Sequence, residues 1–440
     1  MRVVSIIEKG PRLNLLSKKQ KMTAIVVFLI TLLGVVIALN FTSSEKKIEQ
    51  KVPRLYSLSD PQFLRSMGVL LGPAIMPGNR VQALRNGDEI FPSMLQAIRG
   101  AQKTITFETF IYWAGPIGKA FADALSERAR AGVAVHILLD WVGSRKMDQA
   151  LLHQMKAAGV EIELYHQLSW YHLARLNNRT HRKILVVDGK IGFTGGVGIA
   201  SQWTGNAQDP EHWRDTHFRV EGPVVAQMQA VFLDNWMKVK HTAVHGGDYF
   251  PPLDSAGNSL AQMFRSSPSG GAESMHLMYL LTITAADSSI YLSSSYFVPD
   301  DLTIRALIEA VKRGVKVQII VPGELIDTET VRRGSRALWG NLLEAGVEIY
   351  EYQPTMFHCK VMVVDEKWVS VGSTNFDNRS FSLNDEANLN IYDAKFAQEQ
   401  VRIFLNDLKQ SRRVTLQEWH HRPWLEKLWE HTVALLNSQL

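Results

Sequence analysis

His181-Arg-Lys183-Ile-Leu-Val-Val-Asp188 and His358-Cys-Lys360-Val-Met-Val-Val-Asp365 are two copies of one pattern in a chain of 440 residues. Gly195-Gly196 follows the first copy and Gly372-Ser373 the second, each beginning 14 residues after the histidine. One such match by chance in a chain this long is a matter of roughly one in thousands on average residue usage. Two matches at corresponding points of a repeat are not an accident of composition. In extended chain, residues i and i+2 face the same way, so His181 shares a face with Lys183, and His358 with Lys360. Ile184–Val187 and Val361–Val364 then read as buried strands with Asp188 and Asp365 at their ends.

Outward from the motifs, the two halves keep one order of elements. Ile105–Trp113 is strand-like, Ile117–Ala131 helix-like, and Val133–Leu139 and Val160–Tyr165 are strands. Ile290–Val298, Leu302–Arg313, Gly314–Val321, the helical Val331–Ala345 and Val347–Tyr352 repeat that order. Strands alternating with helices of this length predict an α/β fold of two pseudo-twofold-related halves, each a mixed β-sheet flanked by helices. The halves are placed at 96–245 and 272–440, with 41–95 as a connecting region and the Gly-, Pro- and Ser-rich 246–271 as a linker. Trp419, Trp424, Leu425, Leu428 and Trp429 predict a C-terminal helix packed on the body.

A basic leader, 1–21, precedes an uninterrupted uncharged stretch from Ala24 to Leu39, extended by Met22 and Thr23. Residues 22–40 are therefore expected to form one N-terminal transmembrane helix. A cleaved signal peptide is the competing reading, but the leader is long and no small-x-small site follows Leu39. The basic excess before the span places the N-terminus in the cytoplasm, which makes the chain a single-pass inner-membrane protein with an extracytoplasmic, periplasmic body.

The formal charge is +5, from 48 Lys plus Arg against 43 Asp plus Glu. That permits an anionic substrate or a membrane surface as partner, but it is not the concentrated basic stripe of a nucleic-acid binder, and no nucleic acid is expected. Cys359 is the single cysteine, which excludes an intramolecular disulfide and a cysteine-based metal cluster. If the halves pack about a twofold axis, both His-Lys pairs converge on one pocket. Two imidazoles and two ammonium groups suit a phosphodiester: the lysines hold phosphoryl oxygens, one neutral His attacks phosphorus, and the other, protonated, supplies a proton to the departing alkoxide. No metal ligand set is evident and no cofactor is expected.

The paired motif resembles the signature of the phospholipase D superfamily, over residues from about 80 to the C-terminus. Within it, Phe107-Glu108-Thr-Phe-Ile-Tyr112, Ser295-Tyr-Phe-Val-Pro-Asp300, Asn86-Gly-Asp-Glu89 and His212-Trp-Arg-Asp215 are similar to bacterial cardiolipin synthases. The resemblance implies two phospholipase D-like halves and a phosphohistidine intermediate, with His181 as nucleophile and His358 as acid and later base. It implies phosphate contact at Asn375, beside Ser373, and an orienting carboxylate at Glu386, 28 residues after His358, with Asp215 in the corresponding part. Asp188 and Asp365 belong to the catalytic motifs but read as chiefly structural. Glu108 is expected near the pocket, and Trp170, Tyr171 and Leu173 along the path of acyl chains. One departure stands out: Gly198 occupies the place where the commoner pattern has Asn.

The reaction so implied is the joining of two phosphatidylglycerol molecules into cardiolipin with release of glycerol. The alternative keeps the chemistry and makes water the acceptor, giving a phospholipase D. A nuclease would call for a basic groove, and a non-catalytic lipid-binding scaffold for a damaged motif, whereas both motifs are whole.

Overall fold

The computed structural model describes residues 17–41, 48–166, 178–268 and 274–434. Trp170, Tyr171 and Leu173 lie outside the described residues.

Each half is built on a strand buried along its whole length, Thr104–Thr109 in the first and Ser289–Ser294 in the second. Both faces of each strand are covered; in the first, the apolar Ile105 and Phe107 lie on one side and the buried polar Thr104, Thr106 and Glu108 on the other, so the strands sit mid-sheet with helices on either side. On one flank of Thr104–Thr109 run the parallel strands Ala134–Asp140 and Glu161–Tyr165. On the other run the motif strand Ile184–Val187, then Ile191–Gly195 and Thr216–Glu221, all antiparallel. The second half repeats this order with Lys316–Pro322 and Glu348–Tyr352 on one flank, and Lys360–Val364, Trp368–Gly372 and Asn384–Tyr392 on the other.

Helix Asp301–Lys312 illustrates how the sequence sets the connections. The Asp300 side chain caps its first turn by accepting from Thr303 N, and Leu302, Ile304, Leu307 and Ala310 are buried on its inner face. Gly314, at φ +92°, makes the left-handed turn into the next strand.

The halves are joined by two strands from the stretches read as connecting segments. Met76–Arg85 pairs antiparallel with Thr216–Glu221 and with Ser259–Ser266, which in turn pairs with Asn384–Tyr392. The result is one continuous mixed sheet of 16 strands, with corresponding strands related across the 76–85/259–266 seam. A shared core closes beneath that seam, with Ile184, Phe218 and Met228 from the first half against Tyr352, Val361 and Leu389 from the second.

A helix does form at the N-terminal apolar stretch, Lys18–Phe41. The expected transmembrane span is nonetheless overturned: among the described residues, no helix is long and apolar enough to cross a membrane. Lys18, Lys19 and Lys21 occupy its first turn, so three ammonium groups take up one end of the helix. The single-pass inner-membrane placement and the periplasmic body rested on that span and fall with it. The C-terminal helix Trp424–Ala434 lies against helix Glu329–Ala337, with Arg336 paired to Glu426, yet Trp424, Leu425, Leu428 and Trp429 stay exposed. Charged pairs hold this helix, while Trp419, in the short helix before it, packs against the core of the second half and donates to Arg336 O at 2.7 Å.

Candidate active site

The histidines are positioned by backbone pairing across the two halves. Arg179–Thr180 runs parallel to Asn384–Asp385, and His181 N donates to Asp385 O at 2.9 Å. Correspondingly, Arg214 bridges Phe357, and His358 N donates to Arg214 O at 2.8 Å. Each motif is thereby stitched to the opposite half at the residue just before an acidic side chain, Glu386 in one case and Asp215 in the other.

Those carboxylates cross the seam. Glu386 holds His181 Nδ1 with Oε1 at 3.0 Å and Oε2 at 3.1 Å. Asp215 Oδ2 holds His358 Nδ1 at 2.8 Å. With the Nδ1 proton directed at a carboxylate, the Nε2 atom of each ring is left for chemistry. Ser373 is placed beneath Glu386, its hydroxyl donating to Oε2 at 2.5 Å.

The lysines differ in their surroundings. Lys360 Nζ donates to Ser295 Oγ at 2.7 Å and lies 3.3 Å from His358 Nε2. Ser295 passes its own proton to Asn375 Oδ1 at 2.7 Å, so Asn375 reaches the site through a hydroxyl. Lys183 Nζ donates to His181 O at 2.7 Å and stands 5.6 Å from the centre of the Phe110 ring. Phe110 takes the place of Ser295 in the first half and also packs edge-on to His181.

Burial dominates the electrostatics. It pulls His181 down to about 4 against the opposing pull of Glu386, with Lys183 and Lys360 adding to the depression. Burial likewise lowers Lys183 to about 7, opposed by Glu386 and assisted by Lys360. Lys360 of the second half is thus among the charges that depress both His181 and Lys183 of the first. His358 is lowered by burial and by Lys360, and Lys360 by burial. Burial works to raise Asp215 and Glu386, but the facing histidines and lysines outweigh it and keep both carboxyls below the ordinary range.

Glu108 is buried beneath the site. Its Oε1 accepts from Thr180 Oγ1 and from Asn235 Nδ2, and burial raises it to about 7. Its reach toward His181 is indirect, through Thr180. Asp188 and Asp365 sit at the far end of the motif strands. Asp188 accepts from the backbone N–H groups of Gln102, Lys103 and Thr104, and Asp365 from those of Asp287, Ser288 and Ser289. Each ties its motif strand to the start of the central strand of the same half. Gly198 has no room for a side chain: a Cβ there lies 2.6 Å from Ile111 Cβ.

Ser295, Phe110 and Trp203 were not anticipated as site residues. Ser295 lies inside the Ser295–Asp300 motif, one residue beyond Ser294, which pairs with Lys360, and its N–H donates to Cys359 O at 3.1 Å. Trp203 donates from Nε1 to Asp215 Oδ2 at 2.9 Å, a contact across a turn that no spacing reveals. Among the described residues, no group of three or more His, Cys, Asp or Glu side chains gathers to hold a metal ion.

A duplicated α/β sheet with one His-Lys motif per half, the two meeting across the seam, defines a phospholipase D-like protein. The family described as cardiolipin synthase, PLD-like domain, matches residues 94–236 and 279–408, and the chain belongs to that family. The chain is 34% identical to the cardiolipin synthase of Geobacillus kaustophilus over 365 residues, 82% of this chain and 72% of that one. It is 33% identical to cardiolipin synthase A of Pseudomonas syringae over 383 residues, 86% of this chain and 78% of that one. Among solved structures, the phosphatidylserine synthase of Haemophilus influenzae shares the fold with a TM-score of 0.66 at 13% identity, over 87% of this chain and all of that one. The polyphosphate kinase of Porphyromonas gingivalis matches with a TM-score of 0.53 at 11% identity, over 85% of this chain and 53% of that one.

Proposed function

We propose that the protein transfers a phosphatidyl group through a phosphohistidine on His181, joining two phosphatidylglycerol molecules into cardiolipin and releasing glycerol. The observation that carries this reading is the exchange of carboxylates, Glu386 on His181 and Asp215 on His358, within a chain similar to cardiolipin synthases over 82% of its length.

His181, kept neutral by burial, attacks phosphorus with Nε2. The bond from phosphorus to the glycerol oxygen breaks, and His358 gives that oxygen its proton. Burial depresses both histidines, but a bound phosphodiester brings a negative charge that favours a proton on His358. Lys183 and Lys360 hold the non-bridging oxygens and stabilise the charge that builds on them. In the second step His358 takes the proton of a free hydroxyl on another phosphatidylglycerol. That oxygen attacks phosphorus, and His181 leaves with its lone pair. No net proton or electron is consumed. The partners this reading requires are an anionic phospholipid, phosphatidylglycerol, and the membrane surface that presents it.

Vesicles of phosphatidylglycerol incubated with the purified protein should yield cardiolipin and glycerol in equal amounts, with phosphatidic acid a minor product. Phosphatidic acid as the main product would replace transfer by hydrolysis.

A further inference from the structure

The duplication supplies an internal comparison around the two carboxylates. Glu386 receives a hydroxyl hydrogen bond from Ser373. The corresponding position in the first half is Gly196, where a Cβ would lie 2.3 Å from Asp215 Oδ1, so no hydroxyl-bearing side chain fits. Trp203 makes the missing bond. Its indole N–H donates to Asp215 Oδ2 at 2.9 Å, the same oxygen that faces His358 Nδ1 at 2.8 Å. Oδ1 is occupied by Thr216 N at 2.7 Å. Trp203 is 3% exposed and stands edge-on to His358, ring centres 5.2 Å apart, with Trp213 packed 4.5 Å from Trp203 and 5.5 Å from His358. The turn Ser201–Trp203 is held close to helix Asn86–Gly100, for a Cβ at Gly87 would lie 2.2 Å from Trp203 O.

We propose that Trp203 is a positioning residue for His358, doing for Asp215 what Ser373 does for Glu386; the proposal rests on His358 being the acid and base of the reaction above. An indole N–H can only donate, and its bond to a carboxylate is charge-assisted. It draws negative charge from Oδ2 and fixes the plane of the carboxylate. Asp215 then steadies the imidazolium without holding its proton too tightly. With the N–H removed, Asp215 pulls harder on the proton and is free to turn, so His358 delivers it less readily.

The test compares two substrates of the full-length protein: phosphatidylglycerol, whose glycerol must be protonated as it leaves, and phosphatidyl 4-nitrophenol, whose leaving group needs no acid. Trp203→Phe should lower kcat on phosphatidylglycerol about tenfold with KM unchanged, and move the alkaline limb of kcat up by about one pH unit. Formation of the covalent enzyme from the nitrophenyl ester should stay within about twofold of wild type. Should Trp203→Phe not fold, Trp203→Met, flexible enough to fill the gap, is held to the same outcomes. Equal slowing on both substrates, or no slowing on either, overturns the role of Trp203, provided that His358→Ala shows the leaving-group dependence. If His358→Ala itself slows both substrates alike, the assignment of the acid fails, and the proposal with it.

Discussion

Glu386 of the second half grips Nδ1 of His181 of the first with both carboxylate oxygens, at 3.0 and 3.1 Å. Neither half is complete alone: the imidazole, its lysine and its orienting acid are divided across the seam. Glu386→Gln keeps the volume and removes the charge that stabilises a positive ring. It should lower kcat by about 10³–10⁴, on the precedent of neutralising a carboxylate behind a catalytic histidine, and leave KM nearly unchanged. A loss below tenfold in single-turnover formation of the covalent enzyme would show that Glu386 is structural only.

Asp188 and Asp365 should behave in the opposite way. Each gathers three backbone N–H groups and sits at positive φ, 52° and 54°. Asp188→Ala and Asp365→Ala should each cost about 1–3 kcal/mol of stability from the lost bonds, and somewhat more because alanine lacks the short polar side chain that lets aspartate sit in left-handed backbone. Activity per folded molecule, measured well below the midpoint of thermal unfolding, should stay within a factor of about three. A hundredfold loss at full folding would instead give them a part in the chemistry.

This contrast marks what the sequence could disclose. The alternation in His-x-Lys and the repeated Gly-Val-x-Val-x-Ile stretches were legible because strand period and burial act locally. The strands Met76–Arg85 and Ser259–Ser266 were not. Met76-Pro-Gly-Asn-Arg and Ser259-Leu-Ala-Gln-Met lack a sustained apolar alternation, and only pairing with each other and with the two halves makes them strands. The acidic partners were legible as residue types, whereas their exchange across the seam is a property of the assembled sheet. Trp203 and Ser295 act through hydrogen bonds over 12 and 65 positions, a range at which spacing carries no information. The apolar N-terminal helix was legible as a helix; its reading as a membrane span was not upheld.

Gly198 is a place where steric fit, and not phosphate contact, decides the residue. Gly198→Asn would restore the amide that Asn375 provides in the second half, but its Cβ would press on Ile111 at 2.6 Å. Overpacking of this kind costs about 1–3 kcal/mol. Urea denaturation should show that loss without any fall in KM. A tighter KM at unchanged stability would mean that the first half can accept a side-chain phosphate contact after all.

The pH dependence follows from burial. His181, held down to about 4, is a neutral nucleophile above that pH, so the acid limb of kcat/KM should lie near 4. His358 must carry the proton it delivers and Lys183 must keep its own; burial holds His358 below the ordinary imidazole range and Lys183 down to about 7, so kcat/KM should fall with rising pH first as His358 loses its proton and again through 7. A bound phosphodiester anion favours the protonated forms of Lys183 and His358. Because kcat reports the substrate complex, its alkaline limb should lie at higher pH than that of kcat/KM. Coincident alkaline limbs would refute the claim that substrate charge restores these protons.

The two histidines should separate in a trapping experiment, because their rings are differently surrounded. Lys360 Nζ lies 3.2 Å from Nδ1 and 3.3 Å from Nε2 of His358, against the ring, where its positive charge makes the imidazole a poorer nucleophile. Among the described residues, no hydrogen bond engages Nε2 of His181, whose Nδ1 is held by both oxygens of Glu386. The first arrangement suits a group that exchanges a proton, the second a group that bonds to phosphorus. With a labelled phosphatidyl ester of 4-nitrophenol, whose leaving group needs no acid, His358→Ala should accumulate label on the protein as an acid-labile, alkali-stable adduct. Turnover to cardiolipin should fall by about 10²–10⁴ in that variant, the range for loss of a general acid–base group. His181→Ala should bind the lipid and acquire no label. Label on His181→Ala but not on His358→Ala would exchange the two roles, leaving the crossed carboxylates in place and making Asp215, with Trp203 behind it, the support of the nucleophile.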